Sequence, residues 1–198
     1  MGRRTRPGGP APMSAPLGLL LTPGAGASRE SPALVAVEKA VAPLPCRRVD
    51  FPYRLAGRKV PDRPEVAVAH LRTEATAFAA SHNADVGSLV LGGRSYGGRM
   101  CSMAVADGLP AAGLVLLSYP LHPPGRPEKL RTEHFGRIDV PVLFVSGRTD
   151  PFGSPAEFDE HVAAIPGLVT QVWVTGAHDV RGREAEVAAA VAAWVAAL

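Results

Sequence analysis

The stretch Ser88-Leu-Val-Leu-Gly-Gly-Arg-Ser-Tyr-Gly-Gly-Arg99 decides the fold of this chain. Its apolar run, residues 89–91, is typical of a strand that is covered on both faces. Residues 93–97 fit the pattern G-x-S-x-G, in which a serine sits on a strained turn between a strand and a helix. The glycines carry no Cβ, so strand and helix can approach closely and the turn can adopt an otherwise forbidden conformation. We therefore predict Ser95 as a nucleophile; the alternative is a glycine-rich turn whose serine only caps the helix.

Strands and helices alternate along the chain on both sides of this stretch. Strands are predicted at residues 17–22, 46–51, 88–92, 113–117, 142–145 and 169–174. Residues 34, 37, 41 and 44 recur at helical spacing, and similar stripes predict helices over about 64–82, 96–107, 154–165 and 187–198. This order predicts an α/β fold with a doubly wound, mostly parallel, six-stranded sheet, forming one domain over residues 17–198. Residues 1–16 lack periodicity and predict a disordered tail.

The connections carry their own local signals. Ser31 and Asp62 are each followed closely by a proline and predict helix caps, and Ser154-Pro-Ala-Glu157 predicts a capping box. Residues 54–63 predict a polar loop. The segment 119–139 is rich in proline and charge, and we expect one helical turn near residues 128–131.

A serine hydroxyl is a poor nucleophile at neutral pH and needs an adjacent base that a third group holds in place. After Ser95 the chain offers Asp150 just past the fifth predicted strand and His178 just past the sixth. The carboxyl ends of parallel strands meet at one edge of the sheet, where ligands bind. Taken alone, Asp150 would be interpreted as a turn residue and His178 as a solvated loop histidine. Together with the serine motif, their order and position predict a catalytic triad of Ser95, Asp150 and His178.

The other titratable residues are weaker candidates. Asp179 adjoins the histidine in sequence and is poorly placed to orient its ring, and Asp139 precedes the fifth strand, at the opposite end of the sheet. The four histidines on predicted helices or their ends are expected at the surface: His70, His82, His134 and His161. No cluster has the spacing of metal ligands, so we predict no metal and no cofactor.

The tetrahedral intermediate of acyl transfer needs hydrogen-bond donors for its oxyanion. One predicted donor is the main-chain N–H of Tyr96, directly after the nucleophile. The other is the N–H of Ala25, in the glycine-bearing loop after the first strand, because Pro23 has none. Further candidates for substrate contact are Gly24, Arg94, Tyr119 and His122. Arg94 and Arg126 could favour an anionic acyl substrate, although solvated or surface-paired arginines are the equally plain alternative.

Composition excludes several other classes of function. Apolar residues make up 46% of the chain, which indicates a globular domain. Three of the 21 basic residues lie in the first 16 positions, which leaves 18 against 18 acidic residues and argues against nucleic-acid binding. Cys46 and Cys101 are expected to be free buried thiols, which fits a cytoplasmic protein. No apolar run is long enough to span a membrane.

With these residues placed, the chain from Leu17 to Leu198 resembles the α/β-hydrolase superfamily, and most closely a small dienelactone-hydrolase-like branch of bacterial hydrolases. It also resembles the hydrolase-like domain of a histone-acetyltransferase complex subunit. Five stretches carry the resemblance: Pro23-Gly-Ala-Gly-Ala27, Asp50-Phe-Pro-Tyr53, Gly92-Gly-Arg-Ser-Tyr-Gly-Gly-Arg99, Tyr119-Pro-Leu-His-Pro-Pro-Gly125 and Asp150-Pro-Phe-Gly153. The chain departs from this family in several ways. Many members have His-Gly where Pro23-Gly24 stands, and dienelactone hydrolase uses a cysteine nucleophile where this chain has Ser95. The two N-terminal strands of larger members have no room here, and no cap-domain insertion is visible.

The resemblance implies a small, lidless serine hydrolase acting on an ester or similar acyl bond of a small molecule through an acyl-enzyme. A second hypothesis is a binding or scaffold protein on the same fold, with little turnover. A third keeps the fold and changes the reaction, to acyl transfer or carbon–carbon bond hydrolysis. The distance between His178 and Ser95 discriminates the first two, because a histidine out of reach of the serine favours the scaffold.

Overall fold

A single sheet of six parallel strands organises the molecule. The computed structural model describes residues 15–198, so the predicted tail lies outside the described residues except for its last two positions. The strands are β1 (Gly18–Thr22), β2 (Cys46–Arg48), β3 (Leu89–Arg94), β4 (Gly113–Leu117), β5 (Val142–Gly147) and β6 (Val169–Val174). The helices are α1 (Pro32–Val41), α2 (Pro52–Leu55), α3 (Pro64–Ser81), α4 (Tyr96–Ala106), α5 (Pro155–Val162) and α6 (Glu184–Ala196).

Helices cover both faces of the sheet. Helices α1 and α6 pack on one face, and α3, α4 and α5 pack on the other. Because side chains alternate along a strand, Leu20 of β1 enters one core while Leu19 and Leu21 enter the other. The predicted doubly wound α/β architecture is confirmed, and the sheet is wholly rather than mostly parallel.

The strand order is β2-β1-β3-β4-β5-β6. β2 lies on one side of β1, whereas β3 and the later strands lie on the other side, so the direction in which the sheet grows reverses between β1 and β3. Connections from these two strands leave toward opposite sides, which opens a crevice at their carboxyl ends. Residue Thr22 at the end of β1 is in register with Gly93 of β3. The loop after β1 and the Ser95 turn after β3 therefore face each other across this point.

The second strand is shorter than the sequence predicts. It ends at Arg48, whereas the prediction extended it to residue 51. Pro52 has no N–H to donate to a sheet and instead begins the short helix α2, in part of the predicted polar loop. The side chains of Phe51 and Tyr53 are fully buried and anchor this turn against the core.

One of the two predicted helix caps is in place and the other is not. Ser31 occupies the N-cap position of α1 directly before Pro32, although its side chain makes no cap hydrogen bond. Arg63, rather than Asp62, occupies the cap position of α3, and the Asp62 carboxylate lies 2.7 Å from Nη2 of Arg58 instead. The capping box of α5 is present, with both reciprocal hydrogen bonds between Ser154 and Glu157.

The long connection after β4 differs in its details from the prediction. Its helical turn is a 3-10 turn at Phe135–Arg137, rather than near residues 128–131. Phe135 is fully buried and fixes the turn there, whereas Leu130 is exposed. The prediction that His134 lies at the surface is wrong, because this histidine is only 2% exposed and its Nε2 lies 2.8 Å from Oγ of Ser102.

Both cysteines are free thiols; Cys101 is buried and Cys46 is partly buried. In the described part of the chain, every helix is too short or too polar to cross a membrane.

Candidate active site

Ser95 occupies the turn between β3 and α4 in a strained backbone conformation. Its φ of 50° and ψ of −114° lie where a residue with a Cβ is rarely found. The Ser95 N–H donates to the carbonyl of Leu117 at 2.8 Å, which ties the turn to β4. The serine side chain makes no cap hydrogen bond to α4. The hydroxyl is thus free for a partner outside the helix.

The glycines around this serine serve close packing rather than unusual dihedral angles. A Cβ placed on Gly97 would lie 2.6 Å from the carbonyl oxygen of Pro23. A Cβ on Gly93 would collide with the side chain and carbonyl of Thr22. The positive φ of the turn is carried by Ser95 itself. The prediction that these glycines allow close approach is confirmed, and the prediction that they supply the unusual turn conformation is wrong.

His178 lies between Ser95 and Asp150. Its Nε2 is 2.9 Å from Oγ of Ser95, and its Nδ1 is 2.8 Å from Oδ2 and 3.1 Å from Oδ1 of Asp150. The tautomer that fits carries the proton on Nδ1 and donates it to the carboxylate. Nε2 then accepts the hydrogen bond of the serine hydroxyl. The structure thus brings together the three residues on which the sequence analysis placed a triad.

Asp150 is held by groups close to it in sequence. Its side chain is 1% exposed, and Oδ1 accepts a hydrogen bond from the N–H of Phe152 at 2.9 Å. The Phe152 ring stacks on the His178 imidazole with a centroid distance of 4.0 Å and an interplanar angle of 29°. Phe152 therefore orients the Asp150 carboxylate and covers one face of the His178 ring. Sequence reasoning quoted this phenylalanine only as part of a motif.

The loop after β1 lies against the serine turn. A Cβ on Gly24 would be 3.7 Å from Cβ of Ser95, and the N–H of Ala27 donates to the Gly24 carbonyl in a tight turn. The Tyr53 hydroxyl donates to the carbonyl of Ala25 at 2.7 Å. Tyr53 lies in α2, after the neighbouring strand β2, and its hydrogen bond fixes the loop after β1. The sequence did not predict this role. The contact could not be foreseen because it joins residues far apart in the chain.

The two predicted oxyanion donors are at this junction. Tyr96 is the first residue of α4, where N–H groups have no partner within the helix. Among the described residues, neither the N–H of Tyr96 nor that of Ala25 makes a main-chain hydrogen bond. Both N–H groups therefore remain available to a ligand. Burial, with Tyr53 and Asp62 nearby, raises the pKa of the Tyr96 phenol to about 12, and its hydroxyl donates to the Asp62 carbonyl.

Arg94 is turned toward the histidine loop. Its Nη2 donates to the main-chain carbonyl of His178 at 2.9 Å. Burial lowers the pKa of the Arg94 guanidinium, while the carboxylates of Asp179 and Asp150 act in the opposite direction. Nη2 of Arg94 is therefore engaged with the loop of His178, and the substrate contact predicted for Arg94 stays a prediction.

Two other predicted contact residues are buried away from any open surface. Tyr119 is fully buried, and its hydroxyl donates to the carbonyl of Arg131 at 2.7 Å. His122 is 5% exposed, and its ring nitrogens lie 2.9 Å from the Pro123 carbonyl and 3.1 Å from Oε1 of Glu157. Neither side chain presents a free polar atom to solvent. Tyr119 and His122 therefore hold the connection after β4 in place, and the structure does not support them as substrate contacts.

A second serine–histidine pair, Ser102 and His134, lies within the core. Ser102 is fully buried, and burial lowers the pKa of His134 to about 4. This pair is closed to a substrate, whereas His178 is partly exposed at the carboxyl edge of the sheet. Within residues 15–198, no group of three or more His, Cys, Asp or Glu side chains is placed to hold a metal ion.

A parallel doubly wound sheet with a serine, a histidine and an acid at the carboxyl ends of β3, β6 and β5 defines a hydrolase-type fold. A family model described as an alpha/beta hydrolase domain matches residues 16–197. The chain belongs to this alpha/beta hydrolase family, which supports a hydrolase and confirms the resemblance to the superfamily. The narrower resemblance to a dienelactone-hydrolase-like branch stays a prediction.

Solved structures share the fold at low sequence identity. A hydrolase-superfamily protein from Xanthomonas campestris is 18% identical with a TM-score of 0.67, over 91% of this chain and 97% of that chain. Est1E from Butyrivibrio proteoclasticus, with ferulic acid bound, is 13% identical with a TM-score of 0.68, over 93% and 90%. The RedJ thioesterase of the prodiginine pathway of Streptomyces coelicolor is 16% identical with a TM-score of 0.65, over 96% and 90%.

Proposed function

We propose that this protein is a serine hydrolase that cleaves an ester or a similar acyl bond of a small molecule through an acyl-enzyme. One observation carries the proposal: Nε2 of His178 is 2.9 Å from Oγ of Ser95, while Nδ1 is 2.8 Å from Asp150. A base between a hydroxyl and a buried carboxylate is the arrangement that activates a serine. Est1E holds ferulic acid and RedJ is a thioesterase, which supports acyl chemistry on this fold.

In the proposed acylation step, Oγ of Ser95 attacks the substrate carbonyl carbon as Nε2 of His178 accepts the hydroxyl proton. Asp150 stabilises the imidazolium that forms. When the tetrahedral intermediate collapses, the bond to the leaving alcohol breaks and the alcohol takes the proton from Nε2. A water molecule then loses a proton to Nε2, attacks the acyl-enzyme and releases the carboxylic acid. Ser95 recovers its proton, so the cycle requires no cofactor.

The N–H groups of Tyr96 and Ala25 are the proposed donors to the oxyanion. Donors of this kind typically contribute about 10²–10³ in rate each. Their rigidity matters because a donor that must reorganise during the reaction contributes less. The hydrogen bond from Tyr53 to the Ala25 carbonyl supplies that rigidity on the loop side.

The experiment that tests the proposal is labelling with a fluorophosphonate, followed by mass spectrometry of the labelled peptide. The expected result is one label on Ser95, absent from Ser95→Ala. Ser102→Ala is the matched control, because it removes the hydroxyl of the buried serine–histidine pair and should still label. Failure of the unaltered protein to label, together with no hydrolysis across an acyl-chain-length series of esters, would exclude the enzyme and favour the scaffold hypothesis.

A further inference from the structure

Two arginines, one on helix α4 and one in the connection after β4, lack strong partners. Nε of Arg99 is buried without a hydrogen-bond partner in the described part of the chain. The ion pair that Arg99 makes is with Glu133 at 3.6 Å, and the side chain of Glu133 is 62% exposed. The partly buried Arg131 guanidinium has no ion pair or hydrogen bond to any residue from 15 to 198. A buried guanidinium nitrogen without a partner is costly, and an anion bound at Arg99 would relieve that cost.

Arg99 is directly attached to the serine turn. It lies one helical turn beyond Ser95, and its N–H donates to the Ser95 carbonyl at 3.0 Å. A long side chain on a helix leans toward the helix N-terminus and covers the preceding turn. The Arg99 side chain is 22% exposed, so solvent and ligands can reach part of it. Arg99 therefore lies in the first turns of α4, directly after Ser95, with part of its side chain open to solvent.

Arg131 belongs to the connection after β4. The main-chain N–H of Arg131 donates to the carbonyl of Leu121 at 2.7 Å. His122, which follows Leu121 in the chain, donates its N–H to the carbonyl of Phe152 at 3.2 Å. The Phe152 ring lies on the His178 imidazole. Two main-chain hydrogen bonds thus connect Arg131 to the loop that packs on the proposed base.

The guanidinium of Arg99 is close enough to that of Arg131 to affect the pKa of Arg131. Burial and then repulsion from Arg99 lower the pKa of Arg131, and arginine nevertheless stays protonated at neutral pH. Glu133 contributes one negative charge nearby. His134 contributes none at neutral pH, because burial lowers its pKa to about 4. Two positive charges against one leave a single unmatched positive charge, which suits a carboxylate better than a dianionic phosphate.

We propose that Arg99 and Arg131 together bind a carboxylate of the substrate, so that the preferred substrates are esters that carry a free carboxylate. Guanidinium groups suit this role because their planar fork matches the geometry of a carboxylate. The inference rests on the proposed hydrolase function for its substrate class. The carboxylate can belong to the acyl chain or to the alcohol, and the experiment below distinguishes the two.

The test compares kcat/KM for two matched pairs of esters. In the first pair, p-nitrophenyl hexanoate and the p-nitrophenyl half-ester of adipic acid differ in the acyl chain. In the second pair, 4-carbamoylphenyl butyrate and 4-carboxyphenyl butyrate differ in the alcohol. We expect the carboxylate member of one pair to be preferred by about tenfold or more, the value of a hydrogen-bonded charge pair. The preference should fall toward one in both Arg99→Gln and Arg131→Gln.

The ratio of kcat/KM for the two esters of a pair does not depend on the fraction of a variant that is folded. A destabilised variant can therefore still be compared with the parent protein. Lys129→Gln is the matched control, because it removes one positive charge from the same connection at an exposed position and should retain the preference. A preference that is absent from the parent protein, or that persists in both arginine variants, would overturn the carboxylate site.

Binding separates this inference from the proposed catalysis. Adipate should bind to Ser95→Ala protein in calorimetry, and Arg99→Gln or Arg131→Gln added to that variant should weaken binding about tenfold or more. If no ester is hydrolysed while arginine-dependent adipate binding remains, the hydrolase proposal fails and the carboxylate site stands. If adipate binding is absent or independent of both arginines, the carboxylate site fails.

Discussion

The guanidinium of Arg94 donates a hydrogen bond to the main-chain carbonyl of His178, with Nη2 2.9 Å from the oxygen. Arg94 immediately precedes Ser95, so the end of β3 carries both the proposed nucleophile and a tether for the loop of the proposed base. The tether spans 84 residues of sequence and is largely shielded from solvent. The variable position of the G-x-S-x-G pattern therefore helps to set the distance between His178 and Ser95.

Replacing Arg94 should impair turnover more than binding. In Arg94→Met we expect kcat on a neutral ester to fall about tenfold or more, because a small displacement of a catalytic group is costly, while KM changes little. Guanidinium ion added at millimolar concentration should partly restore kcat. Arg148→Met, at an exposed position of a neighbouring loop, is the control. A rise in KM at constant kcat would instead assign Arg94 to substrate binding.

Tyr53→Phe tests the support of the oxyanion loop. The change removes only the hydroxyl that donates to the Ala25 carbonyl at 2.7 Å. We expect kcat to fall several-fold and the free energy of unfolding to fall by about 1 kcal/mol, the usual worth of one such hydrogen bond. Steady-state kinetics and urea denaturation measure the two effects. A loss of stability with unchanged kcat would show that the tyrosine acts on the fold alone.

Gly97→Ala tests the close approach of helix α4 to the loop after β1. The added methyl group would lie 2.6 Å from the carbonyl oxygen of Pro23, and main chain cannot move aside cheaply. We expect a loss of about 1–3 kcal/mol in the free energy of unfolding and loss of fluorophosphonate labelling. At Gly136, by comparison, a Cβ would lie 3.9 Å from the carbonyl oxygen of Ala164. Gly136→Ala should therefore fold and label normally, and equal stability of the two variants would refute the packing argument.

The buried His134 predicts sensitivity to acid. Its pKa is lowered to about 4 by burial, against an ordinary value of 6.5, so between these pH values the unfolded chain binds more protons than the folded protein. The free energy of unfolding should therefore fall as the pH falls, with about 2 kcal/mol of the loss by pH 4.5 due to this residue.

Urea denaturation at pH 7 and pH 4.5 measures this effect. His134→Gln, which keeps a side-chain amide near Ser102, should lose less stability between the two pH values than the parent protein. His82→Gln is the exposed control and should behave like the parent. Identical pH dependence in His134→Gln and the parent would contradict the assignment.

The features that sequence could predict are those fixed by local pattern and by strand order. Ser95, Asp150 and His178 each follow an apolar strand, and parallel strands bring their carboxyl ends to one edge. Their mutual proximity therefore followed once the strands were identified. The capping box at Ser154 could likewise be predicted from the sequence, because both of its residues lie within one stretch of four.

The features that sequence could not predict depend on contacts between distant residues. Tyr119 and His122 follow a strand as the residues of the proposed triad do, and on that ground they were predicted to contact the substrate. Their side chains are directed inward by partners at Arg131 and Glu157, which no local pattern reveals. The burial of His134 arises similarly, from the way the connection after β4 folds back onto Ser102.

Strand β6 ends the sheet and pairs, in the described part of the chain, with β5 alone. Five of its six residues are partly exposed, unlike the fully buried residues of β4. His178 follows this strand, whereas Ser95 follows the centrally placed β3. Edges of a sheet open locally at a smaller free-energy cost than its centre. On heating, this edge should therefore fray first, and hydrolytic activity should disappear at a temperature below the one at which the whole molecule melts.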